Sequence, residues 1–335
     1  MTVRNALVGA VAALTAVSLT ACGSGDGPAT TDGKIKVVAS TNVWGSVVKA
    51  VGGDAVEVTS IINDPSGDPH SYESKPSDVA AVRDAKLVIF NGGGYDNFFA
   101  TLLGPETEQA KKIETFPLSG KASGHDAHGD EPSGTPGAEP SGTPGAESTK
   151  PSPEPADEHA HEHEANEHVW YDLDTVRKVA DQAAADLAAI APDKKAAFEA
   201  NAAEFGQELE ELHTRLDGVG KGKKVLETEP VAHYLLDAAD VEDVTPESFS
   251  DAVEAETDIP AAALAEVTGL VERKQVTAVV NNTQTENPAV RGLVEKARQT
   301  GVQVVEVTET LPEGATGYLE WMTKQVEALE KALRG

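Results

Sequence analysis

Four side chains have the chemistry and the flanking sequence needed to hold a metal ion. His70 ends Asp64-Pro-Ser-Gly-Asp-Pro-His70, a loop stiffened by Pro65 and Pro69. His168 opens His168-Val-Trp-Tyr-Asp172. Glu229 lies in Glu227-Thr-Glu229-Pro-Val-Ala-His-Tyr234, and Glu309 in Val307-Thr-Glu309-Thr-Leu-Pro312. Two imidazoles and two carboxylates can saturate a divalent ion with protein atoms, with no open position required. Singly, none of them says much. A lone loop histidine is usually a surface residue, and Glu229, ahead of Pro230, suits a helix start equally well. His233, one helical turn from Glu229, is an alternative donor. The constellation carries the reading, and it needs a fold that brings its members together.

The elements around these residues alternate between strand and helix. In the first half, Ile35 to Ser40 reads as a strand, Trp44 to Val51 as a helix stopped at Gly52-Gly53, and Val56 to Ile62 as a second strand. Ser77 is a candidate cap for a helix through Ala85. Leu87 to Phe90 is a buried strand closed by Asn91-Gly92-Gly93-Gly94, Tyr95 to Leu103 is helical, and Lys112 to Phe116 is a further strand. Asp174 then caps a helix through Ile190. A longer helix follows, from Asp193 to Leu216, with Phe198, Ala202, Phe205, Leu209 and Leu212 on one stripe. The alternation restarts with a strand at Lys224 to Leu226 and a helix at Val231 to Ala238. Asp258 caps Ile259 to Arg273, Val276 to Val280 is a strand, and Pro288 to Gln299 a helix. Val302 to Val307 is a strand, and Tyr318 to Leu333 a terminal helix. The expected fold class is α/β: two similar parallel-sheet lobes joined by one long helix, with the ligand cleft between them. The expected division is 34–191 for the first lobe, 192–217 for the linking helix and 218–335 for the second lobe. Each candidate ligand follows a strand of its lobe or lies on a loop beside one, so all four can meet in the cleft.

Residues 119–166 interrupt this rhythm. Glu131 to Ala138 is repeated residue for residue as Glu139 to Ala146, and Pro, Gly, Ser, Thr and Glu dominate. Such a composition cannot bury a core, so the insert is expected to be disordered. It carries histidines at its two ends: His125 and His128, then His159, His161 and His163. On a flexible chain these make weak auxiliary zinc ligands, because ordering the chain around an ion costs entropy.

The N-terminus reads as a leader. Arg4 precedes an apolar run from Ala6 to Leu19, too short for a comfortable permanent span, and the run ends in Leu19-Thr-Ala-Cys22. Cys22 is the chain's single cysteine. Residues 1–21 are therefore expected to be a signal peptide, and the Gly- and Ser-rich 22–33 a tether. The chain holds 27 Lys and Arg against 56 Asp and Glu, a formal charge of −29. That argues against nucleic acid and against a polybasic hold on anionic lipid. No nucleophile elbow, Walker loop or dinucleotide fingerprint stands in the right setting. His163-Glu164 and His168 imitate a metalloprotease helix, but the second histidine is five residues on instead of four, off the shared face. The runner-up class is a secreted metallohydrolase, which would need a metal-bound water and a general base.

Taken in order, the lipobox-like leader, Asp-Pro-His-Ser-Tyr-Glu-Ser-Lys-Pro-Ser-Asp after a strand, the His-rich insert, Glu-His-Val-Trp-Tyr-Asp, the long helix and the second α/β lobe resemble one family. It is that of the metal-specific solute-binding lipoproteins of bacterial zinc and manganese ABC importers, and the resemblance covers the mature chain. It implies lipidation of Cys22, extracytoplasmic anchoring to the cell membrane, no enzymatic activity, a rigid linking helix, a monomer, and a membrane permease with its cytoplasmic ATPase as partners. It implies His70 and His168 as the first two ligands. Glu229, with Tyr234 downstream, matches the third position, which is His in most zinc members and Glu in manganese members. Glu309 stands where the family usually has Asp, a departure. The cargo is expected to be Zn2+, with Mn2+ the alternative: the carboxylate pair suits manganese, whereas the insert imidazoles suit zinc.

Overall fold

The computed structural model describes residues 33–65, 67–121, 166–285 and 287–334. The leader, Cys22, the tether as far as residue 32 and the five insert histidines lie outside the described residues.

Two four-stranded parallel sheets organise the molecule. The first has strands β1 (Ile35–Thr41), β2 (Val56–Ile62), β3 (Leu87–Phe90) and β4 (Lys111–Glu114), in the order β2-β1-β3-β4. The second has β5 (Lys224–Glu227), β6 (Glu242–Asp243), β7 (Ala278–Asn282) and β8 (Gln303–Val307), in the order β6-β5-β7-β8. The two orders are the same, and every pairing is parallel. β3 is buried at every position, as a central parallel strand covered on both faces must be. In each sheet the path reverses between its first strand and its third, at β1/β3 and β5/β7. A crevice opens beyond the strand C-termini at such a point.

Helices cover the sheets. In the first lobe, α1 (Asn42–Gly52) buries Val43, Trp44, Val47, Val48 and Val51 at three- and four-residue spacing. Gly45 of α1 sits so close to β2 that a Cβ there would lie 2.3 Å from the Ser60 hydroxyl. α2 (Pro76–Arg83), α3 (Asn97–Leu102), α4 (Thr115–Ser119) and α5 (Leu173–Ile190) complete this half. The long helix α6 (Lys195–Leu216) buries Phe198, Ala202, Phe205, Leu209, Leu212 and Leu216, and packs on α1, α5 and the terminal helix. The second half adds α7 (His233–Ala238), α8 (Glu247–Glu254), α9 (Ala261–Glu272), α10 (Pro288–Thr300) and α11 (Tyr318–Arg334). One continuous apolar cluster runs from Val37 and Trp44 through Phe205 and Leu209 to Val225, Leu235, Trp321 and Val326. The core is thus shared between both sheets and α6.

Several local expectations change. The helix expected to start from Asp174 is capped by Asp172, whose Oδ2 accepts the Thr175 hydroxyl at 2.7 Å. Asp174 lies in the first turn, where a carboxylate meets free N–H groups. α2 begins after Lys75 in place of Ser77, because Asp78 reaches back to accept the Lys75 N–H at 2.8 Å. Pro260, not Asp258, stands at the start of α9. The strand expected at Lys112 to Phe116 ends at Glu114, and the chain turns into α4 as the Phe116 N–H bonds the Asn91 carbonyl at 2.8 Å. Ser119, assigned to the insert, closes α4 by donating to the Phe116 carbonyl. β7 is displaced two residues from the expected Val276 to Val280, which brings Asn281 and Asn282 into the strand. β6 and α8 had no counterpart in the sequence reading.

Candidate metal centre

His70, His168, Glu229 and Glu309 converge between the two sheets. His70 leaves the loop after β2 and is one-third exposed, with Nε2 3.9 Å from Glu309 Oε2. Its ring centroid lies 6.5 Å from that of His168 and 5.0 Å from Tyr95. His168, Glu229 and Glu309 are 0%, 1% and 2% exposed. Glu229 follows β5, and Glu309 follows β8.

The first lobe orients its imidazole by hydrogen bonding and aromatic packing. Asn166 Oδ1 accepts the His168 N–H at 2.9 Å and lies 2.7 Å from Nδ1, while its amide nitrogen donates to the Pro230 carbonyl at 2.6 Å. The Asn166 oxygen is therefore an acceptor on the ring side, and Nδ1 carries the proton. The lone pair is left on Nε2, which is buried and has no hydrogen-bond partner. Tyr95 and Trp170 flank the ring at centroid distances of 6.1 and 5.1 Å. Buried Asn91 ties the preceding residue to the end of β3, donating to the Glu167 carbonyl at 2.9 Å and accepting from Trp44 Nε1 at 3.2 Å. Burial first, then the neighbouring His70, lowers the His168 pKa to about 3, so the ring is neutral, as a metal ligand must be.

The second lobe holds its carboxylates with one amide. Asn282 Nδ2 donates to Glu229 Oε2 at 2.6 Å and to Glu309 Oε1 at 2.8 Å. Its oxygen is turned away to accept the Gln284 N–H at 3.1 Å. The Thr285 hydroxyl donates to the same Glu229 oxygen. Glu309 Oε2 is buried and accepts no hydrogen bond. Burial raises the pKa of both carboxyls, and the charge of Glu229 raises Glu309 further. Ionised together in a low-dielectric cleft the two would repel, so the pair favours keeping a proton near neutral pH, which a dication would displace.

Gln284 links the two halves. Its amide donates to the Pro65 carbonyl at 2.7 Å and to the Thr310 hydroxyl at 3.0 Å, while its oxygen accepts the Glu309 N–H. The loop that carries His70 is thereby tied to the loop that carries Glu309.

Glu167 was missed by sequence reasoning. Its carboxylate can bring a ligand atom within 4.8 Å of those of His70 and His168. Its place in Glu-His-Val-Trp-Tyr-Asp was the available signal. His233, the alternative to Glu229, turns elsewhere, with Nδ1 3.5 Å from Glu227 and Nε2 3.5 Å from Asp237. Asn166, Asn282, Gln284 and Thr285 were also missed; the polar run Asn281 to Thr285 after an apolar strand hinted at the last three, and Asn166 had only its place just ahead of Glu167-His168.

The two lobes repeat one α/β arrangement, and the four candidate side chains, two from each lobe, meet at their junction. Residues 37–332 match the family described as ZnuA, zinc-uptake complex component A periplasmic, and the chain belongs to that family. Its members are uptake components, not enzymes. The chain is similar to the zinc-binding lipoprotein AdcA of Streptococcus pneumoniae, 26% identical over 332 residues, covering 96% of this chain and 60% of AdcA. It is also 28% identical over 204 residues to the manganese ABC transporter substrate-binding lipoprotein PsaA of the same species, covering 59% of this chain and 56% of PsaA. This chain thus spans less than two thirds of either relative. Among solved structures, the periplasmic zinc-binding protein TroA from Treponema pallidum superposes with a TM-score of 0.65 at 16% identity, over 90% of this chain and 99% of TroA. A ZnuA crystal structure gives 0.63 at 19% identity, over 90% and 99% of the two chains. At these identities the likeness is one of fold.

Proposed function

We propose that this chain is the extracytoplasmic solute-binding component of an ABC importer, capturing a divalent transition metal and delivering it to a membrane permease powered by a cytoplasmic ATPase. One observation carries the reading. Two buried donor atoms from opposite lobes, His168 Nε2 and Glu309 Oε2, have no hydrogen-bond partner, and His70 stands beside both. Buried polar groups are almost always partnered, and two orphans facing a third ligand fit a cation. His70, His168, Glu229 and Glu309 are the ligands in this reading. A set that saturates the ion suits carriage, whereas hydrolysis needs a bound water and a base.

Zinc is the favoured cargo because the chain carries five further histidines in residues 119–166. The paired carboxylates favour manganese as the second reading. Zinc binds such donor sets more tightly than manganese in any case, so affinity does not decide between them. The deciding experiment is metal uptake in cells lacking this protein. Rescue by the wild-type chain at limiting zinc, and not at limiting manganese, supports zinc; the reverse favours manganese; rescue of neither overturns the importer reading.

The proposed organisation is a lipid-anchored chain with a leader at 1–21, a tether at 22–33, lobes at 34–191 and 218–335, and a linking helix at 192–217. Cys22→Ser is expected to release the protein or leave an unprocessed precursor, read by membrane fractionation.

A further inference from the structure

A second cluster of metal-ligating side chains lies outside the site described above. Glu227 is the last residue of β5, His233 the first of α7, and Asp243 the last of β6. One ligand atom from each lies within 4.8 Å of the others. We propose that Glu227, His233 and Asp243 form a second divalent-metal site, in the C-terminal lobe, that takes zinc through one imidazole nitrogen and two carboxylates.

The buried member makes the case. Glu227 is 1% exposed, and its neighbouring donors, the His233 ring and the Ala232 N–H, leave both carboxylate oxygens without a well-formed hydrogen bond. A carboxylate that deep is normally satisfied by several donors. Its nearest cationic group, His233 Nδ1, stands 3.5 Å from Oε1, too far for a good hydrogen bond. A separation of that size also suits two donors on one tetrahedral zinc, at about 2.0–2.1 Å each.

The surroundings match what a metal-bound histidine requires. With Nδ1 facing Glu227, the opposite nitrogen of His233 lies 3.5 Å from Asp237 Oδ2. At that distance Asp237 makes no good hydrogen bond as it stands, but a small side-chain shift lets its carboxylate accept the second ring proton, which would fix the tautomer and strengthen the imidazole as a ligand. Asp243 is oriented by Thr245, whose N–H and hydroxyl both reach Oδ1. Thr245 also accepts the Glu227 N–H at 2.8 Å, locking the β6 turn to the end of β5. Asp243 is exposed and His233 half-buried, so the site faces solvent, exchanges its ion and keeps room for water ligands.

The test is equilibrium dialysis against zinc alone, on the full chain with His125, His128, His159, His161 and His163 changed to Ser. Two ions per chain are expected, one tight and one weaker. His233→Asn and Asp243→Asn, both at accessible positions, should each remove the weaker ion while the metal-free melting temperature stays within a degree or two. Asp237→Asn should loosen the weaker ion by about 10–100-fold without touching the tight one. His70→Ala should remove only the tight ion, so failure at the main centre remains distinguishable. A count of one ion in the parent chain, a count unaltered by His233→Asn, or loss of the tight ion in His233→Asn would each overturn the proposal.

Discussion

The two halves of the candidate metal centre are built on opposite principles. The first lobe supplies imidazoles. His168 is held by Asn166 and flanked by Tyr95 and Trp170, so its ring geometry exists before any ion arrives. The second lobe supplies charge. Glu229 and Glu309 share the Asn282 amide, which donates to both and stands in for part of the positive charge that a cation would bring. One half is preorganised by packing, and the other holds two carboxyls that cannot readily ionise together, a conflict that a bound cation would relieve. Affinity then comes from both sources: little reorganisation on the histidine side, and relief of repulsion on the glutamate side.

The sharpest break of this contrast is the loss of an imidazole. Zinc at a hundredfold excess over its dissociation constant should stabilise the wild-type fold by about 2.7 kcal/mol. His168→Ala and His70→Ala should each lose most of that gain in a thermal melt. Because His70 is the exposed member, its variant should keep a wild-type metal-free melting point. Full retention of the zinc shift in both variants overturns the ligand assignment.

Asn282→Ala tests the glutamate half, and the expected sign is different. Hydrogen bonds to charged groups contribute about 1.5–3 kcal/mol. Removing the shared amide should therefore lower the metal-free unfolding free energy by an amount in that range, read as a lower melting point. The zinc-loaded form should lose less, since the ion takes over the neutralising role, so the zinc-induced shift should grow. Equal losses with and without zinc would contradict the view of Asn282 as a partial substitute for the cation.

Asn166→Ala probes the preorganised half more gently. The ring keeps its packing but loses the acceptor that fixes the Nδ1 proton. Zinc affinity by calorimetry should fall about tenfold, the lower end of the range for such supporting contacts, beside a loss of metal-free stability of about 0.5–1.5 kcal/mol for each hydrogen bond removed. A smaller effect again is expected from deleting residues 124–164: fewer zinc ions per chain, with the tight ion retained. Loss of the tight ion would mean that the insert supplies primary ligands.

How much of this was legible in the sequence divides along the same line. β1, β3 and α6 announced themselves because burial on regular elements leaves a period: unbroken apolar runs for central strands, and a 3.6-residue stripe from Phe198 to Leu212. The four candidate ligands could be picked out because histidine and glutamate beside Pro- and Gly-bearing strand ends are unusual in combination. Their supports were not legible. Asn282 and Asn166 are neutral amides with no periodicity, and their importance exists only once strands β5, β7 and β8 lie side by side. Placing the strand at Val276 to Val280 moreover left Asn282 in a loop. β6 has two residues, too few for alternation to register. The helix starts slipped because several polar residues in each stretch could cap, and tertiary packing chose among them. Glu227 read as one more acidic residue in an acidic chain, since burial of a carboxylate leaves no mark on its neighbours.

The apolar cluster shared by both sheets and α6 bears on how a bound ion would leave. Because α6 and the residues it touches belong to the same cluster as both sheets, prising the lobes apart would expose that cluster to water. The protein should accordingly melt in a single transition, and a hinge swinging wide is a costly motion for it. The loop bearing His70 is tied across the cleft through few polar contacts, among them Gln284 to Pro65, and His70 is the most solvent-exposed of the four ligands. A docking permease that tugged on this one segment would strip a single ligand and open a path outward while the rest of the molecule stayed still. Such a protein works as a box with a latch more than as a jaw.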